Sequence, residues 1–434
     1  MAAPMDSDGT LPPPLPTLRF ASLDTGLTPL ERLRRDNEEA LRRALEALDA
    51  REVSLVLTHR LTTLLTHVFP HGLSSLGTVT ECVELTDELA KIHGSTVVYV
   101  ILPQVEDVRS IATHAGLLRS VQQIERKFAL LVAGKWTLMC ADALTHHGLA
   151  DIIHVEEVPL GFIPLDTDLM TLGRERCLYE CFVDGNKSVL VDTAKALSQL
   201  QRLYGSFAEI KYKGDLSGFV FQQLMEMESF EGTGNEPLKR PKKNKSARSR
   251  TLVLLDRSLD FSSALSTPLT FEALIDDLFD GKDGFATIPS SSDTLPQILP
   301  LNSSDPTFAR VRGQNIRAVS AALGAEAAAV KSAFDRFRTT SATASAAEVH
   351  EFVKTVPQMK AKQESLERLV ALIEAIETTV SSRAFRQQWQ LERTIMDEGV
   401  DESEVSSSIE DAIFRNGPML DVIPSYTMAF LERC

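Results

Sequence analysis

Between residues 52 and 160, apolar runs of strand length alternate with helical patterns. The runs are EVSLVL (52–57), TVTECVEL (78–85), TVVYVIL (96–102), FALLVA (128–133) and DIIHVE (151–156), with helical patterns at 59–69, 105–120 and 137–149. Runs such as TVVYVIL and FALLVA have no polar face, so they need cover on both sides of a sheet. A parallel connection must cross the sheet, and a helix making that crossing supplies the cover. The alternation therefore predicts βαβ units around a parallel sheet, an α/β domain one over residues 51–160.

The pattern restarts after VPLGFIPLDTDLMTL (158–172). A helix over KSVLVDTAKALSQLQRLYG ends at Gly205, followed by a strand near 208–214, a helix at 216–228 and the strand TLVLL (251–255). This predicts the first segment of an α/β domain two over 161–270. Within it, the linker 228–250 ends in KRPKKNKSARSR with seven basic residues; its polarity predicts a solvated loop ahead of nuclear import or anionic lipid binding. Upstream, residues 1–28 are rich in Pro, Asp, Ser and Thr and predict a disordered tail. Residues 29–50 predict a charged amphipathic helix with Leu33, Leu41, Leu45 and Leu48 on one stripe.

Beyond residue 300 the pattern is helical: 306–338 and 347–377 joined by TTSATASAA, then 382–396 and 403–415. Ile316, Leu323, Val330 and Phe337 recur every seven residues, and Val349, Phe352, Val356, Met359, Leu366, Val370 and Ile373 keep a 3/4 spacing. Such seams pack helix against helix lengthwise. They predict a hairpin at about 306–377 inside an all-α domain three over 271–434. The two helices can pack on each other, and the remaining side can receive a partner's helix. Pro357 removes one backbone hydrogen bond and predicts a kink or a loosened turn.

A formal charge of −15 and a pI near 5.2 exclude a phosphate-covered main partner, so no nucleic acid is expected. No apolar run approaches 18 residues, and MAAPMDSDGTLPPPLPTL has none of the blocks of a secretory signal, so a cytoplasmic start is expected. The five cysteines read as reduced thiols. Cys177 and Cys181, four apart, read as core residues on one helix face. His146, His147 and His154, near Asp142 and Asp151, match no ligand spacing and read as surface histidines. Neither a metal nor a cofactor is expected.

Acids crowd the stretch LVLLDRSLDFSSALSTPLTFEALIDDLFD (252–280), where an α/β enzyme can keep a metal or a base. A phosphate-binding loop would need glycines and a Lys in order. Gly134-Lys135 has Ala129 and Trp136 where glycine and Ser/Thr belong; Gly281-Lys282 has Asp276 and Asp283. No GxSxG elbow and no HExxH helix occurs. Glu272, Asp276 and Asp277 read as acids in the opening turns of a helix, and Arg257 as a charge partner of Asp256. A hydrolase or phosphotransferase using Asp256 and Asp260 is the less favoured alternative.

The same stretch resembles the signature of the SM (Sec-one/Munc-eighteen) family, with Asp256, Arg257, Asp260, Pro268, Leu269, Thr270, Phe271 and Asp276 at the matching positions. Its ending, with FIPLDTDLMTL (162–172), VRGQNIRAVSAALGAEAAAVKSAF (311–334) and HEFVKTVPQM (350–359), is most similar to the lysosomal and vacuolar branch, that of vacuolar protein sorting-associated protein 33. The resemblance implies a non-enzymatic, arch-shaped α/β plus all-α fold. Two parallel-sheet domains would carry a helical, hairpin-bearing insertion, truncated at Cys434 and leaving the second sheet with an open edge. It implies SNARE binding through the hairpin, at Ile316, Leu323, Val330, Phe334, Phe352, Val356, Pro357 and Met359. It makes Asp256, Arg257, Asp260, Pro268, Thr270 and Asp276 a domain joint. It further implies a HOPS/CORVET-like tethering complex with a helical subunit like vacuolar protein sorting protein 16. The chain would then sit peripherally at late endosome, lysosome or vacuole membranes, touching them through partners. Another SM branch, exocytic or Golgi, is the milder alternative. One departure lies after the first strand, where Thr58-His59-Arg60 replaces the family's usual acid.

Overall fold

Every residue of VSLVL (53–57) and TVVYVI (96–101) is buried, so both segments lie at the centre of a sheet covered on two faces. The computed structural model describes residues 30–50, 52–86, 92–121, 126–231, 250–279, 281, 283–288, 297–340, 346–398, 403, 406–407 and 410. The predicted tail 1–28, most of the basic linker and most of the helix expected at 403–415 lie outside them. The chain forms two compact units, Met1–Asp256 and Arg257–Cys434.

The first unit begins with α1 (Glu31–Ala47), β1 (Val53–Leu57), α2 (His59–Val68), β2 (Val79–Glu84), β3 (Thr96–Ile101), α3 (Val105–Val121), β4 (Lys127–Ala133), α4 (Leu138–His146) and β5 (Ile153–Val158). The five strands are parallel in the order β2-β1-β3-β4-β5, a doubly wound sheet. Alternate residues of β1 feed opposite cores. Leu55 and Leu57 pack with Leu41 and Leu45 of α1 and Leu61, Leu64 and Leu65 of α2; Val56 packs with Ile111 of α3 and Cys140 of α4. Strand β5 starts two residues later than its sequence pattern, because Leu149 to Ile153 form a hydrogen-bonded turn.

The unit continues with β6 (Ile163–Pro164), β7 (Met170–Thr171), α5 (Cys177–Phe182), α6 (Ser188–Tyr204), β8 (Glu209–Lys213), α7 (Asp215–Glu231) and β9 (Thr251–Leu255). Strands β8 and β9 form a two-stranded parallel sheet. Ile210, Leu252 and Leu254 pack on the cluster built by α6 and α7, and on that same face Tyr212 stacks on Phe221 of α7, while Val253 and Leu255 stay exposed on the other face. Helix α1 belongs to both layers: Leu33 joins the α6–α7 cluster and Leu41 and Leu45 the first sheet. Its buried Asn37 donates to Phe162 O at 2.9 Å and accepts from Gly161 N–H at 3.2 Å and Gln199 Nε2 at 3.1 Å. Contrary to the core reading of Cys177 and Cys181, α5 buries none of its residues and Cys177 is exposed.

Where β4 ends, Gly134 adopts φ +127° and leaves no room for a Cβ beside Asp192 and Arg174. Asp192 accepts from Lys135 N–H at 3.0 Å and pairs with Arg174 Nη2 at 2.8 Å, and Arg174 also donates to Ala133 O at 2.9 Å. The Gly134-Lys135 turn is thus closed by a buried ion pair from the following segment.

The second unit contains α8 (Ser262–Leu265), α9 (Phe271–Phe279), a β10–β11 hairpin (Phe285–Ile288, Gln297–Pro300), α10 (Pro306–Val311), α11 (Ile316–Thr340), α12 (Ala346–Val380) and α13 (Arg383–Glu398). The single pattern 306–338 is divided at 312–315, where the chain pairs with α9 instead of continuing a helix. Helix α12 runs without interruption through Pro357. The ring is exposed, so water can take the acceptor left one turn earlier.

Two stability outcomes follow. Asp192→Ala leaves Arg174 buried and unpaired and should cost about 3–5 kcal/mol in a urea titration. His114 is buried, shares a 3.0 Å hydrogen bond with Tyr99 through Nδ1, and has no partner at Nε2 among the described residues. Burial lowers its pKa from 6.5, so the folded form stays neutral where the unfolded chain takes a proton. Its stabilising contribution is full above pH 6.5 and is lost as pH falls below it. Melting curves from pH 7 to 5 should show the decline, and His114→Gln should make it shallower.

Candidate functional site

The acid-rich stretch begins at the end of β9. Asp256 is buried, and its carboxylate accepts from Leu216 N–H at 2.9 Å and Ser217 N–H at 2.6 Å, in the first turn of α7. Those amides have no acceptor within the helix, and a carboxylate there also meets the positive end of the dipole. Gly214, at φ +108°, admits the side chain; a Cβ there would lie 2.2 Å from Asp256 Cγ. Asp256 N–H in turn donates to Lys213 O at 3.2 Å. The strand-end acid is therefore consumed as a cap supplied from a neighbouring strand.

Asp260 plays the same part locally, accepting from Ser263 N–H at 2.9 Å at the start of α8; these hydrogen bonds hold its carboxyl below the usual range. Arg257 does not pair with Asp256 as the sequence suggested. It donates to Asp260 O at 2.6 Å, because the Asp256 carboxylate is already turned to α7. Among the described residues, no group of three or more His, Cys, Asp or Glu side chains is placed to hold a metal ion.

The remainder of the stretch ties the second unit together. Half-buried Pro268 follows Thr267, whose N–H and Oγ1 both donate to Glu392 of α13, at 2.8 and 2.9 Å. Thr270 bridges to Asn315, Phe271 N–H donates to Gln314 O at 2.9 Å, and Glu272 N–H to Arg312 O at 3.0 Å. The Glu272 carboxylate takes Arg312 in a two-pronged pair, 2.6 Å on each arm. Two stretches that the sequence singled out separately, LSTPLTFEAL and VRGQN, are thus one structural joint. Glu272 opens α9, whereas Asp276 and Asp277 lie in its last turns, exposed, rather than in its opening ones. Sequence reasoning missed Glu392, Asn37 and Asp192; a buried acid or amide inside an otherwise apolar helical stripe was their only signal.

The hairpin of α11 and α12 divides along its length. Ile316 and Leu323 are buried with Leu366, Leu369, Leu372, Ile373 and Ile376 in the core of the second unit, joined by Phe271 and Phe308. Val330 is half-buried against that cluster, Val356 and Met359 are half-buried, and Pro357 is exposed. The side chains of Phe334 and Phe352 lie outside the described residues. At the first sheet, Thr58, where the resembled family carries an acid, caps α2 through Leu61 N–H at 3.4 Å.

The family model described as the Sec1 family matches residues 54–431. The chain belongs to the Sec1 family. Vacuolar protein sorting-associated protein 33A of Rattus norvegicus is 28% identical over 342 residues, 75% of this chain and 55% of the rat protein. The vacuolar protein-sorting-associated protein 33 homolog of Arabidopsis thaliana is 26% identical, over 78% of this chain and 56% of its own length. The chain thus spans a little over half the length of these relatives. Among solved structures, the SM protein Vps45 in complex with the Qa SNARE Tlg2 matches at TM-score 0.56 and 14% identity, over 92% of this chain and 72% of that one. The Unc18–syntaxin 1 complex from Monosiga brevicollis matches at TM-score 0.52 and 18% identity, over 92% and 73%. These likenesses establish the α/β plus all-α Sec1-family fold. Sec1-family proteins are non-catalytic chaperones, in keeping with acids spent as caps.

A capping role has a measurable consequence. Asp256→Ala should cost about 1–2 kcal/mol of the first unit's stability. Added Mg²⁺ should leave the melting temperature of the unsubstituted chain unchanged, whereas a metal held by Asp256 would raise it.

Proposed function

We propose that this chain binds SNAREs and guides their assembly, at endosome, lysosome or vacuole membranes, inside a HOPS/CORVET-like tethering complex. Its helical neighbour there would resemble vacuolar protein sorting protein 16. Membership in the Sec1 family supports the SNARE reading, and the relatives named for vacuolar protein sorting support the membrane. No described helix is long and apolar enough to cross a membrane, in keeping with contact through partners.

The observation that carries the reading is the division of the hairpin. A seam of uniform heptad character is consumed by core packing only as far as Ile316, Leu323 and Leu366; farther along, Val330, Val356 and Met359 keep apolar surface in water. Half-exposed apolar residues at helical spacing on a rigid helix are what an amphipathic helix lays its own apolar face against. Phe334 and Phe352 belong to the same proposed surface. Ile316 and Leu323 support it from beneath, and Pro357 removes one backbone hydrogen bond at its middle. In this reading Arg257, Asp260, Pro268, Thr270 and Asp276 belong to the stretch on which the hairpin is built, and Asp256 closes the strand ahead of it.

The test is an equilibrium titration against a panel of soluble SNARE segments, endolysosomal, exocytic and Golgi. Val356→Asp and Met359→Asp should each weaken binding at least about tenfold with an unchanged circular dichroism spectrum. Leu323→Asp buries a charge in the core and should instead cost upwards of about 4 kcal/mol of stability. Unaltered binding by both surface variants would remove the hairpin from the reading. Tighter binding of exocytic or Golgi segments would favour the corresponding branch.

A further inference from the structure

Helices α10, α11 and α12, with the chain leading into α10, line a cavity of about 630 Å³ in the second unit. The charges around it are uneven: Arg310, Lys362 and Arg368 against Asp305 and Glu326. Most of them are already spent. Glu326 of α11 pairs with Arg310 of α10 and with Lys362 of α12, the latter at 3.1 Å. Asp305 caps α10, accepting from Thr307 N–H at 2.9 Å and Phe308 N–H at 3.3 Å, and its other oxygen takes the hydroxyl of Ser365. The acids next to Arg368 along α12 are taken as well, Glu364 by Lys360 at 4.0 Å and Glu367 by Gln363 at 2.8 Å. Arg368 itself is half-buried and has neither an ion-pair nor a hydrogen-bond partner among the described residues. In a chain of net charge −15, the cavity thus keeps one uncompensated positive charge.

A guanidinium fork matches one carboxylate. A polyphosphate would need Arg310 and Lys362 too, and both are held by Glu326. The wall that remains accessible is mostly apolar, from the exposed residues Pro300, Pro306 and Ala361. A fitting ligand therefore carries a carboxylate beside an apolar group. So open a wall gives a free organic acid little buried area to set against the cost of association, whereas a peptide adds contacts where it continues beyond the cavity.

We propose that this cavity is a docking site for an acidic peptide segment of a partner protein. Arg368 takes an Asp or Glu carboxylate of the segment, and Pro300, Pro306 and Ala361 take the apolar residue beside it. Val330, Val356 and Met359 do not line the cavity, so the site is separate from the hairpin seam. In fluorescence anisotropy the full chain should bind a labelled peptide of Leu-Glu pairs spaced by Gly and Ser. Neither its Leu-Gln nor its Ser-Glu counterpart should compete. Arg368→Gln should weaken binding at least about tenfold. Lys360→Gln removes the same charge from the same helix outside the cavity and should change binding less than about twofold. Ala361→Trp, at an exposed helix position, should fill the cavity and weaken binding as much as Arg368→Gln, with an unchanged circular dichroism spectrum. Equal competition by the Ser-Glu peptide, or equal loss in Lys360→Gln, would reduce the effect to general charge attraction and overturn the proposal. Tighter Arg368-dependent binding of hexanoate or of inositol hexakisphosphate would overturn it too, by assigning the cavity to a free acid or to a polyphosphate.

Discussion

The first unit depends on carboxylates that reach out of their own element to finish someone else's. Asp256, at the end of β9, takes two of the amides that α7 cannot satisfy, and the missing Cβ of Gly214 is what lets it in. Asp192, from α6, does the corresponding work at the end of β4, where Gly134 opens the turn and Arg174 balances the charge. In each case the acid sits at the carboxyl end of a parallel strand, the place where such sheets usually bind ligands. Here those positions are filled by the protein's own backbone. That is a physical reason for reading the acids as structural, independent of any family likeness. A carboxylate that already accepts two short hydrogen bonds from buried amides has little left to offer a metal or a substrate proton.

Much of this architecture was legible because burial leaves a mark in period. Strands β1, β3 and β4 had to be central because TVVYVIL and FALLVA carry no polar face, and the helices between them fix the parallel order. The seam of α11 and α12 was legible for the same reason. Less so were the features set by single long-range contacts. Nothing in the local pattern of α1 says that Asn37 would be sealed between Phe162 and Gln199, nor that Glu392 of α13 would be drawn in to bind Thr267. Cys177 and Cys181 show the opposite failure. Helical spacing makes a face, but only tertiary packing decides whether that face is covered, and over α5 it is not.

The break at 312–315 belongs with these long-range effects. The helical pattern runs on through Arg312, yet the backbone there turns to give Gln314 O and Arg312 O to the start of α9. Two helix-opening amides find acceptors, and Glu272 gains a bidentate arginine, so interrupting one helix completes another. The signature stretch and the VRGQN stretch therefore constrain each other as two sides of one contact.

A heptad seam carries two demands that compete for the same side chains. Packing helix on helix buries it, and receiving a partner helix needs it open. Under the function proposed above, the hairpin would reconcile them by position rather than by residue type. Near the joint, Leu323 and Leu366 are sealed by Phe271 and Phe308, which only the α9–α10 side of the unit can supply. Farther out α9 and α10 contribute no such cover, and Val356 and Met359 stay partly in water although their spacing is that of the buried residues. Pro357 fits this gradient. A proline inside a helix forfeits a hydrogen bond that a buried turn could not replace but that a wet one can, so it belongs on the stretch that is not core. The seam's sequence is uniform; what makes one end scaffold and the other end surface is how far the joint's aromatic cover extends.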